Sequence, residues 1–313
     1  MARELRDLAP AELKAFSREK TLFIFSVSPL TDLGDHLSLG VKIDFAVALA
    51  RRVTQDLETR GFECIYMPPL SLGVSSGNTQ LSVLVRSHVL RDALVDQCES
   101  LHRLGFRWFL CFSAERSPRQ LVTIEEAGQF LANRTSGWKT WTGRWVNYLP
   151  GVHSSHAVLM SADSALVDRS ELWRAPMWPD PNELGGEQDT SRALAVTPSS
   201  VRPFYKTQML ISPLASRWAR FSAWRKKEAQ GHRGDPSQAD ATRGENALKA
   251  ESDIIVAKVL AVLDGSPSSV VFRSGFSLFP TNSSVFWVWV MSFALFVLLL
   301  TWLVWAIQWM THG

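Results

Sequence analysis

The stretch "DLGDHLSLGVKID", Asp32 to Asp44, lies just after a short apolar run, "TLFIFSV" (Thr21 to Val27). A short, mostly apolar run closed by a turn-rich segment reads as a buried strand. The stretch after it gathers Asp32, Asp35, His36 and Asp44 within thirteen residues. Carboxylates and an imidazole are the donors that hard and borderline cations take. A lysine, Lys42, stands among them. The loop therefore reads as a metal loop in working, rebuilt or relict form, at the carboxyl end of the first long strand.

Outward from that loop the same alternation repeats. "FAVALARRVTQDLETR" (Phe45 to Arg60) has helical periodicity, and Gly61 stops it. "FECIYM" (Phe62 to Met67) is a second strand, and "PPLSLGVSSGNTQ" a turn-rich loop. Ser87–Leu104 reads as a helix ended by Gly105, Phe106–Phe112 as a third strand, and Gln120–Ala132 as a third helix. Strands alternating with helices at this spacing predict βαβ units, a parallel sheet and helices on both faces. Residues 1–20 predict a short amphipathic helix, with Pro10 opening its second part. Residues 174–200 predict a long loop, residues 239–264 a final helix, and residues 265–284 a linker. Trp138, Trp141 and Trp145, spaced three and four apart, would share one helix face. They would pack against the domain or a neighbour, or form an aromatic wall.

The chain has 313 residues, 46% of them hydrophobic and 20% charged, so a packed core is within reach and wholesale disorder is excluded. A net charge of +3 with no dense basic stripe argues against nucleic acid as a partner. Cys64, Cys98 and Cys111 lack C-x-x-C spacing and fall in apolar or helical patterns, as buried reduced thiols do. The N-terminus is charged throughout, which predicts no cleaved signal peptide.

The C-terminus has the opposite character. After Arg273 there is no Asp, Glu, Lys or Arg, and Val285 to Met310 is apolar almost without break. As a helix it would be about 39 Å long, against a hydrocarbon core of about 30 Å. Trp287 and Trp289 lie near one end, and Trp302, Trp305 and Trp309 near the other, as in interfacial aromatic belts. This predicts a transmembrane helix over 285–310. The nearby basic residues, Lys258 and Arg273, precede it, so the positive-inside rule places the N-terminal domain in the cytoplasm.

Four segments carry a family resemblance, in order. "DLGDHLSLG" resembles an E-x-H-G-x-H-L-P-L-G segment after the first strand. "MPPLSLGVSSGNTQLSV" resembles a P-P-x-x-x-G-x-S loop. "LHRLGFRWFLCF" resembles the G-F and apolar strand that lead into N-G-H-G-G-N, and "HRGDPSQADATRGENAL" a late G-x-x-G-D-P-x-x-A-x-x-x-x-G segment. Together they resemble the creatininase (creatinine amidohydrolase) family across residues 21–264. The resemblance implies a three-layer αβα sandwich with a mainly parallel sheet, followed by the transmembrane helix. It also implies metal-assisted amide hydrolysis, in which divalent metals activate a water.

Carried over position by position, the family's ligands fall on other residues. Its first Glu falls on Thr31, its first His on Leu33 and its Asp on Lys42. The Asn and His of N-G-H-G-G-N fall on Phe112 and Ala114, and the Glu of its H-A-G-E segment falls near Leu159. Gly34 and His36 match the motif, but that histidine is not among the family's ligands. Lys42 either faces solvent or supplies the positive charge that a metal would bring, neutralising Asp44 or Glu115. A rebuilt metal centre would draw on Asp32, Asp35, His36, Asp44, Glu115, His153 and His156. Ser75 and Ser76 have no identifiable base, and Cys111 reads as core.

These readings lead to an expectation of no catalytic residue, no metal and no cofactor. The protein would then be a membrane-tethered, catalytically inactive scaffold, assembly factor or accessory subunit of a membrane complex. Its partners would be the membrane, other membrane-protein subunits, or further copies of its soluble domain. Two alternatives stand beside it: a divergent amidohydrolase with a relocated metal site, and a small-ligand sensor using the former pocket.

Overall fold

The structure is a computed structural model, and it describes residues 3–74, 81–133, 157–167, 184–208, 210, 231–276, 291–303 and 305. Two compact units are distinct, Met1–Leu278 and Phe279–Gly313.

The first unit is built on five parallel strands: β1 (Arg3–Glu4), β2 (Thr21–Ser26), β3 (Glu63–Tyr66), β4 (Trp108–Phe112) and β5 (Val158–Ser161). Their order is β1-β3-β2-β4-β5, with every pairing parallel. Parallel strands covered on both faces are apolar throughout. All six residues of β2 and all five of β4 are buried. Successive side chains take opposite faces. Leu22, Ile24, Trp108, Leu110 and Phe112 enter one core, while Phe23, Phe25, Phe109 and Cys111 enter the other.

Among the described residues of this unit the helices are α1 (Pro10–Ala15), α2 (Val41–Thr59), α3 (Ser87–His102), α4 (Pro118–Asn133), α5 (Glu187–Val196), α6 (Ala241–Leu263) and α7 (Ser268–Val271). Helix α2 places Ala46, Leu49, Ala50, Val53 and Leu57 in the first core, where Leu248, Ile255, Val256, Val259 and Val262 of α6 join them. On the opposite face, α3 contributes Leu90, Leu94 and Val95, and α4 contributes Ile124, Ala127 and Leu131. The three expected layers and the parallel sheet are present. All three cysteines are buried and unpaired, and burial raises each thiol, Cys64 to about 12.

Several expected elements differ. The helix expected over residues 1–20 is confined to α1, because Arg3–Glu4 pairs with β3 as an edge strand. Helix α2 begins at Val41 rather than Phe45, since Val41 already belongs to the buried stripe. This puts Lys42 and Asp44 on its first turn instead of in a loop. The loop expected over 174–200 contains α5, whose first turn carries Glu187 and Asp189. Trp138, Trp141, Trp145, His153, His156, Ser75 and Ser76 lie outside the described residues.

In the second unit, residues 291–303 are helical. Their apolar side chains are exposed, with Met291, Phe293, Leu298 and Trp302 each more than half accessible. Among the described residues no helix is long and apolar enough to cross a membrane. The expected span over 285–310 is therefore not found as such. Trp302 and Trp305 are described and exposed, whereas Trp287, Trp289 and Trp309 lie outside the described residues.

Candidate functional site

In an open parallel sheet, groups that bind and react collect beyond the carboxyl ends of the strands. Here the segment after β2, the turn after β4, the 3-10 turn after β5 and the start of α5 meet at that edge. The turn after β4 is strained: Ala114 has φ +53°, the one non-glycine residue with positive φ among those described. Such a backbone persists only where its surroundings hold it. Asp163 does so, its Oδ2 accepting the Ser113 N–H at 2.6 Å and the Ala114 N–H at 3.2 Å.

From that turn a ladder of buried charge crosses the site. Arg116 Nε donates to Asp163 Oδ1 at 3.3 Å, and Arg116 Nη2 to Glu251 Oε2 at 2.8 Å. Arg192 of α5 donates to the other oxygen of Glu251. Beside Arg192 stands Asp189, whose Oδ2 accepts the Gly185 N–H at 2.9 Å and whose Oδ1 accepts Lys42 Nζ at 3.2 Å. Burial alone would raise both carboxyls. The adjacent cations overcome it, holding Glu251 down at about 2 and Asp189 below the ordinary range.

Lys42 is 8% exposed, which disposes of the solvent-facing alternative. Its partner is Asp189, which the sequence reading did not single out, rather than Asp44. Asp44 sits partly buried on the next residue but one, hydrogen-bonded to Thr197 and Ser200. Glu115 is 6% exposed, and burial pushes its carboxyl up while Lys42 draws it down.

The remaining predicted positions have structural roles. Thr31 is buried, its hydroxyl donating weakly to the Pro29 carbonyl at 3.4 Å. Leu33 packs with Leu37, Val41, Phe45 and Ala193 in a small third core. Phe112 is in the first core and Leu159 packs in the second. Leu159 lies on β5 and faces that second core.

His36 is fully buried, with Nε2 2.9 Å from Thr190 Oγ1 and its ring edge-on to His232 at 5.7 Å. Burial, with His232 nearby, lowers its pKa to about 4, so the ring is neutral at pH 7. Gly34, at φ +99°, lets the chain pass this pair, since a Cβ there would lie 2.9 Å from His232 Cβ.

These donors do not fit a divalent metal. Leu33 and Ala114 have no lone pair to give, and Lys42 brings a positive charge. Asp32 accepts the N–H of Gly34, and among the described residues no group of three His, Cys, Asp or Glu is placed to hold an ion. A groove of about 560 Å³ lies elsewhere, lined by residues including Asp44, Arg51, Arg52, Thr197 and Glu245, with none of Lys42, Glu115 or Asp189 on its wall.

A family model described as "Creatininase: Creatinine amidohydrolase" matches residues 6–259. The chain belongs to the creatininase family. A solved creatinine amidohydrolase superposes with a TM-score of 0.60 at 18% identity, covering 84% of this chain and 98% of that one. A structure titled "Creatininase Mn" gives 0.60 at 18% identity, over 85% and 100% of the two chains. A putative creatinine amidohydrolase from Bacteroides fragilis NCTC 9343 gives 0.53 at 17%, over 84% and 95%. At such identities these likenesses speak for the fold. No curated protein matches the sequence. Membership in a family described as an amidohydrolase, with neighbours that bear enzyme names, overturns the expectation that this creatininase-family chain is not an enzyme.

Proposed function

We propose that the chain is a divergent amidohydrolase of the creatininase family, held at a membrane by its C-terminal apolar helix, with a centre carried by Lys42, Glu115 and Asp189. The observation that carries this reading is the buried Lys42–Asp189 pair at the carboxyl edge of the sheet, with buried Glu115 close enough for Lys42 to draw its carboxyl down, beside the strained Ala114 turn. Hydrolysis of a small amide adds water to the carbonyl carbon, breaks the C–N bond and passes a proton to the nitrogen. Lys42, oriented by Asp189, would stabilise the oxygen that gains negative charge. Glu115 would take the water's proton and return it to the leaving nitrogen. Burial raises Glu115 toward the pH at which such a shuttle works best.

The anchor rests on residues 291–303, a helix with exposed apolar side chains in a stretch without charge. A lipid phase is the medium in which such a surface is stable. The same exposed helix favours a second reading, in which the domain serves as an accessory subunit whose partner helices cover it.

The test uses full-length protein purified from membranes in detergent, incubated with creatinine, small lactams and linear amides. Products are read by mass spectrometry as the gain of one water. Turnover that disappears in Glu115→Gln supports the hydrolase. Absence of turnover across the panel, with other membrane proteins co-purifying in fixed ratio, favours the accessory-subunit reading.

A further inference from the structure

Helix α2 has more apolar surface than its core stripe uses. Ala46, Leu49, Ala50, Val53 and Leu57 enter the first core, but Ile43, Val47 and Ala48 lie outside it and are half-buried. These three line the groove of about 560 Å³, together with Val196 of α5 and Leu248 of α6. Ile43, Val47, Arg51 and Gln55 stand four apart, so they form one row along α2, about 18 Å from first to last. All four line the groove, and the row changes character half-way: two aliphatic side chains, then a guanidinium and an amide. The polar groups of the groove are not all committed. Arg52 donates to the carboxylate and the backbone carbonyl of Glu245. Asp44 accepts from the hydroxyls of Thr197 and Ser200. Arg51 and Gln55 are exposed, and among the described residues neither has a hydrogen-bond or ion-pair partner. An arginine in open water needs none. One that ends an aliphatic row inside a groove, beside an unused amide, presents its donors to whatever the groove holds.

We propose that this groove binds a monocarboxylate with an aliphatic tail, its head on Arg51 and Gln55 and its tail along Val47, Ile43, Val196 and Leu248. Small-molecule sites have this make-up: a volume of about 300–1,000 Å³, mainly apolar walls and a few polar groups that fix orientation. The guanidinium fork matches the two oxygens of a planar carboxylate, and the Gln55 amide, one turn on, supplies a further donor. One uncommitted cation answers one negative charge. A phosphate monoester carries nearly two, and the carboxyls of Asp44 and Glu245 on the same walls oppose the second. Lys42, Glu115 and Asp189 do not line the groove, so the inference does not rest on the hydrolytic reading.

The test titrates full-length protein in lipid nanodiscs with octanoate by calorimetry, with empty nanodiscs run in parallel to subtract partition into lipid. Octanamide, octyl phosphate and acetate are the comparison ligands, and Arg51→Met and Val47→Asn the variants. The expected result is saturable octanoate binding at one site per chain and none for acetate. Octanamide, with the same tail and no charge, should bind about 10–100-fold more weakly, the worth of hydrogen bonds to a charged group. Arg51→Met should weaken octanoate by a similar factor and leave octanamide unchanged, whereas Val47→Asn should weaken both. Arg51 is exposed and outside both cores, so its variant should keep the thermal midpoint of the wild type without ligand. Octanoate heats no larger than those of empty nanodiscs overturn the proposal. So do octanamide binding as tightly as octanoate, octyl phosphate binding more tightly than octanoate, or undiminished octanoate binding in Arg51→Met.

Discussion

Arg116 on the turn after β4 and Glu251 in the middle of α6 are joined at 2.8 Å, and each is also committed elsewhere: Arg116 to Asp163, and Glu251 to Arg192. One guanidinium thus ties the sheet edge to the helix that covers it, and one carboxylate ties that helix to α5. Breaking a buried pair from one side leaves the other charge unpaired, at a cost of about 3–5 kcal/mol. Glu251→Gln takes the carboxylate away from both Arg116 and Arg192, and Arg116→Met takes the guanidinium away from both Asp163 and Glu251. Both should lower the free energy of denaturant unfolding by about that amount. Arg116→Met/Glu251→Gln should cost less than the sum of the singles. Additive losses would show that the two residues are not coupled.

Acid should unfold this domain over a broad range. The folded His36 has its pKa lowered from 6.5 to about 4, so the unfolded chain binds a proton that the folded one refuses. Its contribution is complete above pH 6.5 and is lost as pH falls toward 4. Glu251 is depressed from 4.5 to about 2, so its contribution is complete above pH 4.5 and is lost as pH falls toward 2. Stability should therefore decline from about pH 6.5 downward in two legs. His36→Gln should flatten the upper leg and leave the lower one, as read by thermal midpoints across pH. An unchanged upper leg would show that His36 is not its source.

Gly185 is fixed by its neighbour as much as by its own backbone. At φ +61° it lies in the left-handed region, and a Cβ there would sit 1.8 Å from the Leu33 carbonyl oxygen. Gly61 has φ +87°, but a Cβ there would meet nothing within 4 Å. Gly61→Ala should cost only the backbone term, about 1–2 kcal/mol. Gly185→Ala must also force residue 185 and the Leu33 loop apart, displacing the residue-185 N–H that holds Asp189. Its loss should exceed that of Gly61→Ala by at least about 2 kcal/mol, in the range of core overpacking. Equal losses in chemical denaturation would mean that the loop yields freely.

The sheet was legible because burial on both faces leaves an unmistakable trace. "WFLCF" is apolar throughout and "TLFIFS" at its four central positions, and no helix of that length between turns competes with them. The start of α2 was less legible, because Lys42 and Asp44 drew the eye to metal chemistry. Yet Val41, Phe45 and Leu49 already stand four apart, which marks the same helix face. Asp189 was missed for a related reason. Its segment looks like a loop in "PNELGGEQDT", where only the paired acids after Gly-Gly signal a helix start. That Lys42 finds Asp189 rather than Asp44 depends on bringing together residues 147 apart in sequence, which no local pattern carries. The edge strand Arg3–Glu4 is too short and polar to announce itself.

The helix over residues 291–303 sets the condition for the anchor. Leu298 and Leu299 lie near the middle of the uncharged stretch, and both are exposed in the isolated chain. If that surface meets lipid, the full chain should sediment with membranes, resist high salt and alkaline carbonate, and be released only by detergent. The first unit, with both cores complete in residues 3–276, should remain in the soluble fraction when expressed as residues 1–278. An arginine at the centre of a membrane helix costs about 2.5–3.5 kcal/mol for insertion. Leu298→Arg should therefore shift a large share of the protein out of the membrane fraction. Arginine at Trp309, near the expected interface, should shift little, because the side chain can reach the headgroups. Equal distributions of the two variants, or full-length protein released by salt alone, would remove the bilayer as the explanation. The apolar helix would then have to be covered by protein.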